Sequence, residues 1–505
     1  MLRSSLIVTL FGFLASLLAF LNQVMLARFF GAGEEMDAYL IAISLPLTLS
    51  ALFSGVLGSQ VVPALQQAEV KTGSSDALLK SLVVGLGCGT ALAALFGCIA
   101  AEMLIALVAQ KSSSAVQVLA ADIARVAWWW LPLAVVGAVY TAGLHIRQRF
   151  LISMLLQMLP VVGTLISCLI AHQYVGVRAL VWGQLAGYLA MVVSLRSTLG
   201  GKPSACDWVG LRELLAQTPM ALLALLIFVI CPFSDAIWGS HAGPAGVSHL
   251  AYAQRLVVGF SGLAVAGAVT VLFPHFARQS AEGNSEALHR HLAKTLRGIL
   301  VCMVPASVLL GMLALPVSQL LFERGAFNLT DSLALAALLP SMLVGLVAMS
   351  CMGLTFKAYF AQGMLRAAAI MSVGGVIIYF TLSGIFVGQF GLPGIGIAYA
   401  VSWWLVFICS LRYLWRGTPL AQLVKVNLRF VSRMSAAAVL VGVVCWLGAQ
   451  FLPAAQSADQ LSRLLVIAGT SALAILSYLA VGNSFLAIDE LRMLVQHVLN
   501  LMNRK

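Results

Sequence analysis

The chain has 505 residues, 61% of them hydrophobic and only 9% charged, with a net charge of +12. A soluble domain carries roughly 25% charged residues, so this chain could not cover its own surface in water, and lipid is the solvent its composition fits. The positive balance then belongs to loops on the cytoplasmic side of a membrane, and nucleic acid is not expected as a partner.

In hydrocarbon the backbone must satisfy its own hydrogen bonds, which leaves helices or closed barrels. The apolar runs here are long and do not alternate, so the expected fold is all-α and polytopic, with about fourteen transmembrane helices. In chain order the spans fall at 5–30, 36–65, 78–109, 118–143, 151–173, 176–198, 214–236, 246–274, 298–322, 332–358, 367–389, 393–414, 430–452 and 461–482. The first run is longer than a signal h-region and reads as a retained helix. After the last span, Ile488, Leu491, Val495, Val498 and Met502 recur at helical spacing, which reads as an amphipathic tail over 484–505.

Basic residues set the orientation. With the N-terminus inside, the outer segments hold Arg28, Lys111, Arg178, Arg324 and Arg463, and the spans hold Arg125 and Arg255, leaving 22 of the 29 Lys and Arg inside. Both termini are therefore expected in the cytoplasm, with the protein multi-pass in a bacterial inner membrane.

Three segments recur in the same order about 211 residues on. Phe30–Tyr39 matches His241–Tyr252, Val61–Leu65 matches Leu272–Phe276, and Ser74–Lys80 matches Asn284–Arg290. A unit of six helices preserves orientation, so the expectation is a parallel-repeat transporter. Its parts are an N-lobe over 1–200, a C-lobe over 201–418, two added helices over 419–483 and the tail.

No phosphate-binding loop, HExxH, GxSxG or carboxylate pair occurs, so neither an enzyme nor a resident cofactor or metal is expected. Eight of the nine cysteines lie in apolar runs and none forms CxxC, which makes them core-filling residues. The informative groups are ionisable residues within the bilayer, each costing roughly 2.5–3.5 kcal/mol on insertion scales. Arg255 lies near the midplane, beside Tyr252 and Gln254, and suits an anion in a cavity. Glu102 and Arg125 form a candidate structural pair, with Asp122 as a competing partner. Arg28 closes helix 1, and Asp37 opens helix 2, where negative charge suits an N-terminus. Asn22, Gln23, Gln60 and Asp235 are further polar groups able to line a cavity.

Ala27–Gly33 followed by Asp37-Ala-Tyr resembles the first-hairpin motif of the MurJ (MviN) family, as do Ser59-Gln60 and Pro63, Leu250–Leu256, Leu272–Phe276 and Leu321–Phe327. The resemblance implies a two-lobed, fourteen-helix exporter that flips lipid II, the undecaprenyl-diphosphate-linked peptidoglycan precursor. It also implies substrate contacts at Arg255, Arg28 and Asp37. At other positions where the family typically carries cavity arginines, this chain has Ser16, Asn22 and Ser50, and Gln254 replaces an acidic residue. Expected partners are the lipid-linked saccharide and membrane lipids, with envelope- or polysaccharide-synthesis proteins as candidates. An exopolysaccharide precursor as cargo, a cation-coupled multidrug exporter and a non-transporting scaffold are the rival readings, and coupling to an ion or to the membrane potential stays open.

Overall fold

The computed structural model describes residues 2–200, 205–260, 285–416, 420–450 and 460–484. Among these the secondary structure is helical, and ten helices are long and apolar enough to cross a bilayer, or eleven when the bent pair Trp208–Ala216 and Thr218–Val229 counts as one span. Each of the fourteen expected spans falls on one helix or on two in succession, with the eighth described only to Phe260 and the thirteenth only to Gln450. The amphipathic tail, Leu272–Phe276 and most of the 275–297 loop lie outside the described residues.

The chain divides into two compact units. The first holds Met1–Tyr252 together with Arg324–Phe327, and the second holds Ala253–Glu323 and Asn328–Lys505. In the first unit, α1 (Leu2–Phe30) packs on α7 (Phe150–Leu156) and α8 (Leu159–Val175). The long α2 (Glu34–Thr72) packs on α5 (Ser114–Ala127), α6 (Trp130–Ile146), α10 (Trp208–Val229) and α11 (Cys231–His241). α3 (Asp76–Ile99), α4 (Ala101–Val108) and α9 (Arg178–Leu199) complete that bundle, and residues 246–260 begin α12.

In the second unit α15 (Leu329–Ala361) is the central helix, packed on α13 (Ser285–Met312), α14 (Ala314–Phe322) and α17 (Leu392–Leu414), while α16 (Leu365–Phe390) lies along α17. α18 (Leu420–Ala449) and α19 (Gln460–Ser484) close on α13 through Val301, Met434, Val441, Cys445 and Tyr478. The Tyr478 hydroxyl donates to the Val301 carbonyl at 2.7 Å, so that buried hydroxyl is satisfied.

Several expected single spans are broken, and proline explains four of the breaks. Pro132, Pro160, Pro232 and Pro316 each stand two or three residues past the interruption, where a ring without an N–H cannot donate back into the preceding turn. The fifth break, at Ala100, follows Gly97, against which the Trp128 ring packs so closely that a Cβ would not fit.

Two turns occur twice, once in each unit. Gly176 ends α8 at φ 59, ψ −142 and Gly391 ends α16 at φ 63, ψ −143, each donating to the carbonyl four residues back. Likewise Arg147, Gln148 and Arg149 donate to Gly143, His145 and Leu144, and Gln362, Gly363 and Met364 repeat that pattern to Ala358, Phe360 and Tyr359.

Candidate functional site

The polar residues singled out in the sequence fall into four places. The first is a knot in the first unit, where the α1–α2 turn meets the start of α12. Gly31 turns the chain at φ 63, and a Cβ there would come within 2.5 Å of the Ala326 carbonyl oxygen, so only glycine fits. The Tyr252 hydroxyl, on a fully buried ring, donates to the Gly31 carbonyl at 2.9 Å. That ring meets Phe327 edge to face, with centroids 5.5 Å apart. The Arg28 side chain is exposed, while its carbonyl accepts from the Ala326 N–H at 2.9 Å.

Asp37 is buried in the same knot, and its carboxylate accepts the Ser248 N–H at 2.7 Å. It therefore caps α12, not its own helix. α2 starts at Glu34 from an extended Gly33, so Asp37 is already a turn inside it, whereas α12 presents unpaired N–H groups in its first turn. Asp37 and Ser248 stand 211 residues apart, the interval of the sequence repeat.

The second place is along α1 and α2. Ser16 is exposed, and its hydroxyl bonds back to the Gly12 carbonyl at 3.0 Å. Asn22 is half-buried and Ser50 is buried; Asn22 Oδ1 and Ser50 Oγ are enclosed without a hydrogen-bond partner. Such orphaned atoms in a native interior call for a ligand or water. Gln23 is buried, and Gln60 Oε1 accepts from Thr218 at 3.2 Å beside the proline bend of α10. Asp235 is buried in α11.

The third place is the end of the described part of α12. Arg255 is exposed and Gln254 half-buried, on a row with Val258 and Gly259 that is open while Ala253, Leu256 and Val257 are buried. At the helical rise Arg255 lies about 13 Å from the start of α12.

The fourth is an ion-pair chain on the first unit. Arg125 donates to Glu102 at 2.5 Å and to Asp122 at 3.2 Å, and Arg178 reaches the other Asp122 oxygen at 2.9 Å. This ties α4, α5 and α9 together. All four side chains are largely exposed, so in water each pair would contribute only tenths of a kcal/mol to about 1 kcal/mol.

One group escaped the sequence reading. Lys357 lies a single residue inside the expected span end at 358, where the sequence does not single it out. α15 runs on to Ala361, which places Lys357 a full turn inside the helix. The continuing polar-poor run Ala358-Tyr-Phe-Ala361 was the signal for it.

A family profile described as Lipid II flippase MurJ matches residues 26–464. The Lipid II flippase MurJ of Burkholderia cenocepacia is 23% identical over 92% of this chain and 94% of its own length. The Probable lipid II flippase MurJ of Thermotoga maritima is 24% identical over 81% and 84%. Among solved structures, a Lipid II flippase MurJ in an inward closed conformation superposes with a TM-score of 0.78 at 19% identity, covering 97% of this chain and all of that one. An inward-facing multidrug resistance MATE family transporter of the MOP superfamily gives 0.67 at 16% identity over 79% and 94%.

Proposed function

The chain belongs to the MurJ family of lipid II flippases, and from that premise we propose that it moves lipid II, a polyprenyl-diphosphate-linked saccharide, across the cytoplasmic membrane by alternating access. The observation that carries the reading is the family match over 26–464, a stretch that contains the first-hairpin knot and Arg255. No bond is made or broken; the work is recognition and exchange of access. Arg255 contacts the diphosphate, because a guanidinium offers a planar fork to its oxygens and lies too deep to reach water along the lipid. Asn22 and Ser50, with enclosed polar atoms, take hydroxyls or amides of the head group. Asp37, Tyr252 and the Arg28 backbone hold the first hairpin in place. Gln254 stands beside Arg255 as a neutral partner for the anion, and Ser16 lines the path on α1. Both termini lie in the cytoplasm, and the six-helix duplication is supported by the paired turns at Gly176 and Gly391. The driving force is a coupling ion or the membrane potential.

A second cargo is favoured by one observation. Ser16, Asn22 and Ser50 are neutral where the family resemblance implies arginines, so the head-group contacts here differ from that pattern, and an exopolysaccharide precursor, which carries the same diphosphate under a peptide-free head group, is the second reading. Proteoliposomes loaded with either lipid II or a peptide-free polyprenyl-diphosphate oligosaccharide distinguish the two. Translocation of lipid II by the unsubstituted protein and its loss in Arg255→Ala, with Arg255→Lys partly active, is the expected result. Failure to move either lipid overturns the flippase reading, and an Arg255→Ala protein at full rate removes Arg255 from the site.

A further inference from the structure

The two halves of the chain differ in charge. Up to Tyr252 there are 12 basic and 10 acidic residues; from Ala253 on there are 17 and 7, a net charge of +10. Half of that excess belongs to α13 and α18, which pack on each other in the second unit. Together these two helices carry six Lys and Arg and a single carboxylate, Glu286. Glu286 stands one turn before Arg290 and suits it as a partner, which still leaves the helix pair strongly positive.

Helical spacing sets the cations in two rows. On α13, Arg290, Lys294 and Arg297 follow each other at four and three residues and lead to Val301; on α18, Arg429 and Arg433 lead to Ala437 and Val441. Val301, Ala437 and Val441 are buried together in the seam that joins the helices, so both rows run out of that seam at one end. The Arg297 guanidinium lies over the Phe430 ring, 5.4 Å from its centroid, which sets the rows side by side. Arg290, Lys294 and Arg429 are exposed, and Arg297 and Arg433 are half-buried. Beyond Arg297 and Arg433 neither helix has another charged residue. The rows therefore stop where the expected spans begin, at the level of the phosphates of a bilayer leaflet.

Topology alone does not account for these rows. The positive-inside rule asks for Lys and Arg, and the repeat shows how few suffice. Ser74–Lys80 matches Asn284–Arg290, so Lys80 on α3 is the counterpart of Arg290, while Val84 and Gly87 stand where α13 has Lys294 and Arg297. The two extra cations of α13 occur on the face that continues into the seam with α18, a helix outside the repeat. Like charges one turn apart disfavour a helix, so an anion set between the rows stabilises both.

We propose that this groove binds an anionic phospholipid of the cytoplasmic leaflet, whose phosphate sits among Lys294, Arg297, Arg429 and Arg433 and ties the added helix to the repeat. Guanidinium forks and an ammonium together suit a phosphodiester. A zwitterionic head group would bring a cation of its own between the rows, so charge selects against it. The cargo plays no part in this site, which stands whether or not the chain flips lipid II.

The test uses purified full-length protein in detergent. Added phosphatidylglycerol should raise the melting temperature, and phosphatidylcholine should not. The double variant Lys294→Gln with Arg429→Gln removes two exposed cations. It should weaken binding of a fluorescent phosphatidylglycerol by about 25-fold, at roughly fivefold per cation. The charge-keeping variant Lys294→Arg with Arg429→Lys should bind close to the parent, which separates lost charge from lost packing. A control, Lys71→Gln with Arg196→Gln, takes two exposed cations from the first unit and should also bind as the parent does. Equal losses in the control and the Lys294→Gln, Arg429→Gln variant would reduce the attraction to diffuse surface charge and overturn the site. An equal response to both lipids would overturn it too. Displacement of the fluorescent lipid by a polyprenyl diphosphate at lower concentration than by unlabelled phosphatidylglycerol would assign the groove to the cargo instead.

Discussion

At the scale of single residues, the first hairpin is held by a few groups whose removal has calculable consequences. Asp37 accepts an N–H from the first turn of α12, so Asp37→Ala leaves that donor unpaired and removes a negative charge from a helix N-terminus. A loss of about 1–2 kcal/mol is expected, read as a lower melting temperature in detergent, with Asp37→Asn intermediate because its amide oxygen still accepts. Gly31→Ala should be worse, about 2–4 kcal/mol, since the new Cβ meets the Ala326 backbone and the residue is held at φ 63. The opposite sign is expected at Gln148. It holds a left-handed φ of 59 in a turn whose counterpart uses Gly363, so Gln148→Gly should raise the melting temperature by the equivalent of about 1 kcal/mol. Arg147 secures that turn by pairing with Asp76 at 2.9 Å and by donating to the Leu199 carbonyl, and neither contact depends on the residue at 148.

At the scale of elements, close packing between α8 and α9 depends on absent side chains. Gly163 and Gly187 bring the two backbones together, and a Cβ on Gly187 would strike Pro160 Cα at 2.6 Å. Gly187→Leu should therefore force the pair apart at about 1–3 kcal/mol, visible as a lower folded fraction after heating. Which elements form was legible from hydropathy alone, because an apolar run of bilayer length has one stable outcome. Where they break was less legible. Pro132, Pro160, Pro232 and Pro316 were in view, but a proline in a membrane helix can be absorbed without a break, and only packing decides. The choice of partner was not legible at all: nothing local in the sequence of α1 says that it lies along α7 and α8, or in Asp37 that it caps a helix two hundred residues on. Lys357 was missed for a related reason. The sequence shows its distance from an expected span end, whereas the length of α15 and the burial of the neighbours of Lys357 emerge only from packing.

At the scale of the whole molecule, the distribution of positive charge predicts topology. In a cysteine-free background, single cysteines beside Lys111 and Arg324 should react with an impermeant thiol reagent applied outside intact cells, and those beside Arg149, Arg290 and Arg429 should not. Outside labelling at 290 would invert the orientation. The compact units add a constraint of a different kind. The first unit includes Arg324–Phe327, which are made long after Tyr252, and the carbonyl of Arg28 and the ring of Tyr252 find their partners there. A ribosome that has just finished residue 252 has therefore released a bundle with one joint still open, and the joint closes only when the next several helices have entered the membrane. Inserted early, the first hairpin stays provisional until late in synthesis. Two fragments divided near residue 252 would each fold short of the native state when made alone, and should recover it only when co-expressed.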